Sequence, residues 1–141
     1  MTYENKVAWL RRYQDSLRRE RELGQELEQL RSRACKVTPA LTGMPGGAGD
    51  GQSLARAVAS IVQAQQELQA QINVCGAIRR EIVSALNQIT NPRDHEILRR
   101  RYILGQRWEV IAVEMHLEYR WVTRRHHRAV DAMILTPESP T

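Results

Sequence analysis

Phenylalanine is absent, and only two lysines, Lys6 and Lys36, stand among the 21 basic residues. Cysteine occurs twice, as Cys35 and Cys75. A disulfide framework needs more cysteines than that, and a structural zinc site needs ligands closer together, so two reduced thiols are expected. No apolar run reaches the length of a signal peptide or a membrane span, which predicts a cytoplasmic protein. What fills the chain instead is Ala, Leu, Gln, Glu and Arg, the composition of helix formers. With 42% hydrophobic residues over 141 positions, the expectation is an all-α chain of one domain or two small modules. The net charge of +5 comes almost wholly from arginine, whose planar fork of donors suits phosphates and guanine edges.

Four segments follow from spacing and breakers. From Thr2 to Ala34, apolar residues recur at helical intervals as Leu10, Tyr13, Leu17, Leu23, Leu27, Leu30 and Ala34. A drift of the face near Glu20–Gly24 predicts a bend or packing stutter there. Residues 36–53, KVTPALTGMPGGAGDGQS, read as a Gly/Pro-rich loop. Its glycine run, Gly46 to Gly51, is no phosphate loop, since it lacks the Gly-Lys-Ser/Thr ending and a preceding strand. From Gln52 to Thr90, Leu54, Ile61, Leu68, Cys75, Ile82 and Ile89 form a heptad stripe. Ala57, Ala64, Ile78 and Ala85 occupy the second seam position, and Val58, Ile72 and Leu86 widen the stripe. So long an amphipathic helix needs a partner. The first helix, folded back as an antiparallel hairpin over residues 1–90, can supply it, and so can a second copy of the chain.

Asn91-Pro92 caps and starts a new helix, opening a domain over residues 91–135. Three helices are predicted here: Pro92 to about Ile103, Arg107 to Met115, and Tyr119 to Met133 or Ile134, with Gly105 as the first stop. The later two, joined by His116-Leu117-Glu118, have helix-turn-helix spacing. Tyr102, Trp108, Ile111, Ala112, Met115, Leu117, Val122, Ala129 and Met133 are its expected core, with His126 or Val130 at the edge. The opposite face of the last helix presents Arg120, Thr123, Arg124 and His127, placed to read bases in a major groove. Arg107, Arg128, Arg99, Arg100 and Arg101 are assigned to backbone phosphates. Residues 136–141 read as a disordered tail.

Other constellations carry less. His116, His126 and His127 have no carboxylate or cysteine to complete a metal set, and Asp94-His95-Glu96 has no nucleophile beside it. First-turn acids favouring the helix dipole explain the latter. No metal, cofactor or small-molecule substrate is implied, and no enzymatic activity is expected.

The string ILRRRYILGQRWEVIAVEMHLEYRWVTRRHHRAV resembles region 4 of sigma-70-type factors. It is more similar still to small phage and prophage proteins of Gram-positive bacteria related to late-gene transcription activators. Arg101-Tyr102-Ile103, Gly105, Trp108-Glu109, Ile111-Ala112, Met115, Val122, Arg124, His126 and Arg128-Ala129 carry that resemblance. The Val37-Thr38-Pro39 and Met44-Pro45-Gly46-Gly47 segments, with the flanking helices, extend it upstream. Glu118 and Tyr119 depart from the family's Tyr-Ser, and Arg125 replaces a leucine, which predicts that its side chain snorkels outward or pairs, with Glu118 or Glu114 as partner. The resemblance implies a sequence-specific DNA-binding transcription regulator in a bacterial host cell, with double-stranded DNA, host RNA polymerase and a second copy of the chain as partners. Two alternatives stand beside it. One is a phage DNA-packaging protein of small-terminase type, or an assembly protein. The other is a helical protein-interaction module without DNA binding.

Overall fold

The computed structural model describes residues 1–42 and 50–136, the side chains of 37–42 and 50 excepted. Five α-helices follow one another among them: α1 Tyr3–Thr42, α2 Asp50–Leu86, α3 Pro92–Tyr102, α4 Trp108–Met115 and α5 Tyr119–Ala132. The described residues contain no strand, and none of their helices is long and apolar enough to cross a membrane. The loop expected over 36–53 is therefore too long. Helix α1 continues to Thr42 with Pro39 in its closing turn, and α2 starts at Asp50. Gly51 costs little there, because first-turn N–H groups lack intrahelical partners in any helix. Met44-Pro45-Gly46-Gly47, most of the glycine run and the tail beyond Thr136 lie outside the described residues. Helix α1 is continuous through Glu20–Gly24.

The chain forms two compact units, Met1–Ser16 with Cys75–Thr141, and Leu17–Val74. The sequence places a boundary at residue 90. The first unit instead takes in the start of α1 and the end of α2, because both contribute apolar side chains to the same core as α3, α4 and α5. Leu10 of α1 and Ile82 of α2 are fully buried there beside Ile97, Ile111, Val122 and Val130. Burial of one such side chain stabilises by about 1.5–3 kcal/mol. Helices α1 and α2 run antiparallel in this unit: Arg12 reaches Glu81 at 2.6 Å, and Ser16 Oγ meets Cys75 Sγ at 2.9 Å.

In the second unit, Leu23 and Leu27 are the buried positions of α1. Ala57, Ile61, Ala64 and Leu68 of α2 are half-buried, so the expected heptad seam is the packed one. Three members of the predicted set fall outside it. Leu54 is 37% exposed, Val58 50% and Ile72 41%. Ile89 is not helical. Helix α2 ends at Leu86, and a turn follows in which Gln88 and Ile89 donate to Ala85 and Leu86. Asn91 must be extended (φ −70°, ψ 120°) to cap α3, which stops α2 from running on to Thr90. The Asn91 carboxamide accepts from the N–H groups of Arg93 and Asp94 at 2.9 and 3.2 Å, as its position before Pro92 predicts.

Helix α5 packs on α3 and α4, and α3 packs on α4. The α3–α4 turn uses Gly105 at φ +70°. A Cβ there would stand 2.6 Å from Oε1 of Gln14, whose amide donates to the closing carbonyls of α3, Tyr102 and Ile103. Helix α4 ends in a Schellman arrangement: Leu117 N–H donates to Ala112 and His116 N–H to Val113, with His116 left-handed at φ 57°. A side chain at that φ costs about 1–2 kcal/mol. His116→Gly is therefore expected to stabilise the protein by about 1 kcal/mol in urea denaturation. An unchanged midpoint would show that the imidazole offsets the strain.

Candidate nucleic-acid interface

Every predicted core residue of the last three helices lies in the core cluster or packs against it. Tyr102, Ile111, Ala112, Val122 and Met133 are buried, while Trp108, Met115, Leu117 and Ala129 pack against them half-exposed. His126 and Val130 sit in the centre of this face rather than at its edge, at 4% and 0% exposure. Nε2 of His126 is 2.6 Å from the Tyr102 hydroxyl, and Trp108 meets the imidazole edge-on at 4.5 Å. Burial, helped by the charges of Arg101, His127 and Arg11, pulls the His126 pKa down to about 4. Burial also pushes the Tyr102 phenol up. Near neutral pH the ring is uncharged, and a single hydrogen bond joins the two groups.

The outward side of α5 carries Arg120, Arg124, His127 and Arg128, all exposed, with Thr123 half-buried between them. Among the described residues, Arg120, Arg124 and Arg128 take part in no ion pair. Arg124 only donates back to the Arg120 carbonyl, at 3.4 Å. The Thr123 hydroxyl likewise turns onto its own helix, toward the carbonyls of Tyr119 and Arg120 at 3.2 and 3.1 Å. His127 stacks on Tyr3 of α1, ring centroids 4.0 Å apart, and Lys6 donates to the Asp131 carbonyl at the end of α5. The start of α1 thus clamps one end of this face. No local signal in the sequence points to Tyr3 or Lys6.

The remaining arginines differ. Arg99 and Arg100 both donate to Glu96, and Arg100 also meets Glu114. The hydrogen bond from Arg99, first, and that from Arg100 hold the Glu96 carboxyl below its usual range. Arg101 donates to the Gln106 carbonyl and lies 4.4 Å over the Trp108 ring. Arg125 pairs with neither Glu118 nor Glu114. Asp94 takes it in a bidentate bridge at 2.7 and 3.0 Å, and Trp121 lies under the guanidinium at 5.2 Å. Asp94 is three residues past the Asn91 cap, in the first turn of α3, so the packing of α3 on α5 brings it within reach, whereas Glu114 is engaged by Arg100 and Gln106. Carboxylates thus compensate Arg99, Arg100 and Arg125, and leave the α5 row uncompensated. Arg107, at the N-cap of α4, is exposed as well.

No family model, curated protein or solved structure matches this chain.

Glu118 precedes α5 and makes no side-chain cap bond. Glu118 stands two positions before Arg120 in the sequence. Glu118→Ser supplies a better cap, worth about 1 kcal/mol, and removes a negative charge. Thermal unfolding should report the gain in stability. A loss would show that Glu118 has a structural role other than capping.

Proposed function

We propose that the chain is a sequence-specific DNA-binding regulator that docks α5 in the major groove, with α4 and α5 acting as a helix-turn-helix of sigma-70 region 4 type. One observation carries the reading: three arginines, Arg120, Arg124 and Arg128, align on the exposed side of one helix with no carboxylate of the described residues set against them. Arg99 and Arg100 of α3, by contrast, are compensated by Glu96. Leaving a row uncompensated costs self-repulsion, and a polyanion relieves it. The Schellman turn at His116, with Leu117 packed between the helices, supports the same reading by fixing the α4–α5 angle.

Within this assignment, Arg124 and Arg120 read base edges, with Thr123 beside them after its hydroxyl rotates outward. Arg128 and Arg107 hold phosphates. Arg99, Arg100 and Arg101 serve the fold first, since carboxylates and the Gln106 carbonyl already occupy them. His127 contributes only as far as its stack on Tyr3 leaves an edge open. Host RNA polymerase is the further partner this role suggests.

Selection of bound duplexes from a random pool, followed by a salt titration on the winner, tests the proposal. A defined consensus and an affinity that falls steeply with salt are expected. Failure to retain any duplex at low salt would leave a helical protein-interaction module as the better account.

A further inference from the structure

We propose that the cavity between the α2–α3 turn and the end of α5 binds a small amphipathic monoanion, whose carboxylate takes Arg128 and withdraws it from DNA. The site itself stands without the DNA reading, and only the withdrawal rests on it. The cavity is half-open, with a volume of about 620 Å³, and its described lining residues all belong to the first unit. Ligand pockets commonly span roughly 300–1,000 Å³, with an apolar lining and a few convergent polar groups. Ile89, Ala129, Ala132, Met133 and Ile134 supply the apolar part here.

Charge and one exposed side chain identify the ligand. Among the described lining residues, Asp94, Arg125 and Arg128 are the charged ones. Asp94 and Arg125 answer each other in their bidentate bridge. Arg128 has no ion pair among the described residues, so the lining is left with one positive charge. A single carboxylate matches it, because a guanidinium takes that group in a fork of two N–H···O bonds. Ile134 sets the other requirement. It is 78% exposed, although its neighbours Met133 and Leu135 are buried. The Gln88 carboxamide clasps its backbone twice: Nε2 donates to the Ile134 carbonyl at 2.9 Å, and the Ile134 N–H donates to Oε1 at 3.1 Å. Backbone held in this way keeps an apolar side chain at the mouth of the cavity, where the hydrocarbon body of a ligand would cover it. A bare anion would leave that surface wet, and a neutral hydrocarbon would leave Arg128 unanswered.

Octanoate is the probe, titrated into the full chain without DNA and followed by amide NMR shifts. Saturable binding at about a millimolar or tighter is expected, with shifts centred on Ile89, Ala129 and Ile134. Octanol lacks the charge and acetate lacks the body, so each should bind weaker by roughly threefold or more. Arg128→Gln should weaken octanoate by a similar factor and leave octanol unchanged, a selectivity that a merely structural arginine would not show. Ala132→Phe, at an exposed position, should fill the cavity and weaken both, while helicity by circular dichroism holds. The site is overturned by octanoate that does not saturate, by octanol or acetate binding as well as octanoate, or by either variant binding octanoate as the wild type does. A gain in octanoate affinity on Glu138→Gln would make that carboxylate the occupant of Arg128 and would overturn it too. For the withdrawal, a duplex that the wild type binds is titrated in saturating octanoate, with equimolar acetate as the salt control. The expected loss of affinity equals that of Arg128→Ala. Equal binding in octanoate and acetate would reject the withdrawal. Failure to bind any duplex would end the DNA reading and the withdrawal with it, while the octanoate titration still decides the site.

Discussion

Replacing Arg120, Arg124 and Arg128 together by alanine is expected to lower affinity for duplex DNA by two to three orders of magnitude at about 0.1 M salt. Each guanidinium that neutralises a phosphate releases condensed counterions, steepening log K against log salt by about 0.9. The triple variant should therefore show a slope shallower by about 0.9, the share of Arg128, and lose the rest of its affinity through the base contacts of Arg120 and Arg124. The three side chains are exposed and unpaired among the described residues, so unfolding free energy should stay within about 0.5 kcal/mol of wild type. Arg124→Ala alone separates base reading from phosphate binding. If Arg124 reads a base, its removal costs about 1–3 kcal/mol of discrimination and relaxes the consensus at one position. Equal weakening on specific and random duplexes would reassign Arg124 to phosphate. A triple variant that binds like wild type would end the DNA reading.

Acid should destabilise the first unit through His126. Its ordinary pKa near 6.5 applies in the unfolded chain, and burial brings it to about 4 in the folded one. Between those values the unfolded state binds the extra proton. The stability is thus fully present above pH 6.5 and is lost as pH falls toward 4, by about 3 kcal/mol once protonation is complete. Protonation also puts a charge among Tyr102, Trp108 and Tyr3. Urea titrations across that range should show the slope, and His126→Gln, neutral throughout, should flatten it at some cost in neutral stability. A wild-type profile as flat as the variant's would show that the imidazole opens to water without unfolding.

The helices of residues 91–135 are legible in the sequence to within a residue or two, because their boundaries carry local chemistry. Asn91-Pro92 marks a start, and Gly105 is the residue that tolerates the left-handed turn. The heptad seam is legible for the same reason, its period being written into α2. The loop comes out too long because the number of Gly and Pro residues says nothing of where in a turn they fall. What stays hidden is what depends on distant chain. Asp94 rather than Glu114 takes Arg125 because α3 and α5 pack side by side, a fact of tertiary geometry. The burial of His126 has a usable signal, since it falls four residues after Val122 and four before Val130 on the inward face. Its hydrogen bond with Tyr102 has none. Spacing alone makes Val58 and Ile72 widen the stripe of α2, and their exposure separates them from it.

The placement of Leu10, Tyr13 and Gln14 against the last three helices has a consequence for synthesis. These residues leave the ribosome well before the surfaces they bury against. The segment Leu17–Val74 can settle early from neighbours near in sequence, while α3, α4 and α5 gain their full cover only when the start of α1 docks on them. A fragment made from residue 91 onward would lack that stretch and leave Ile97 and Ile111 short of cover, so its arginine-bearing face would be born without its foundation.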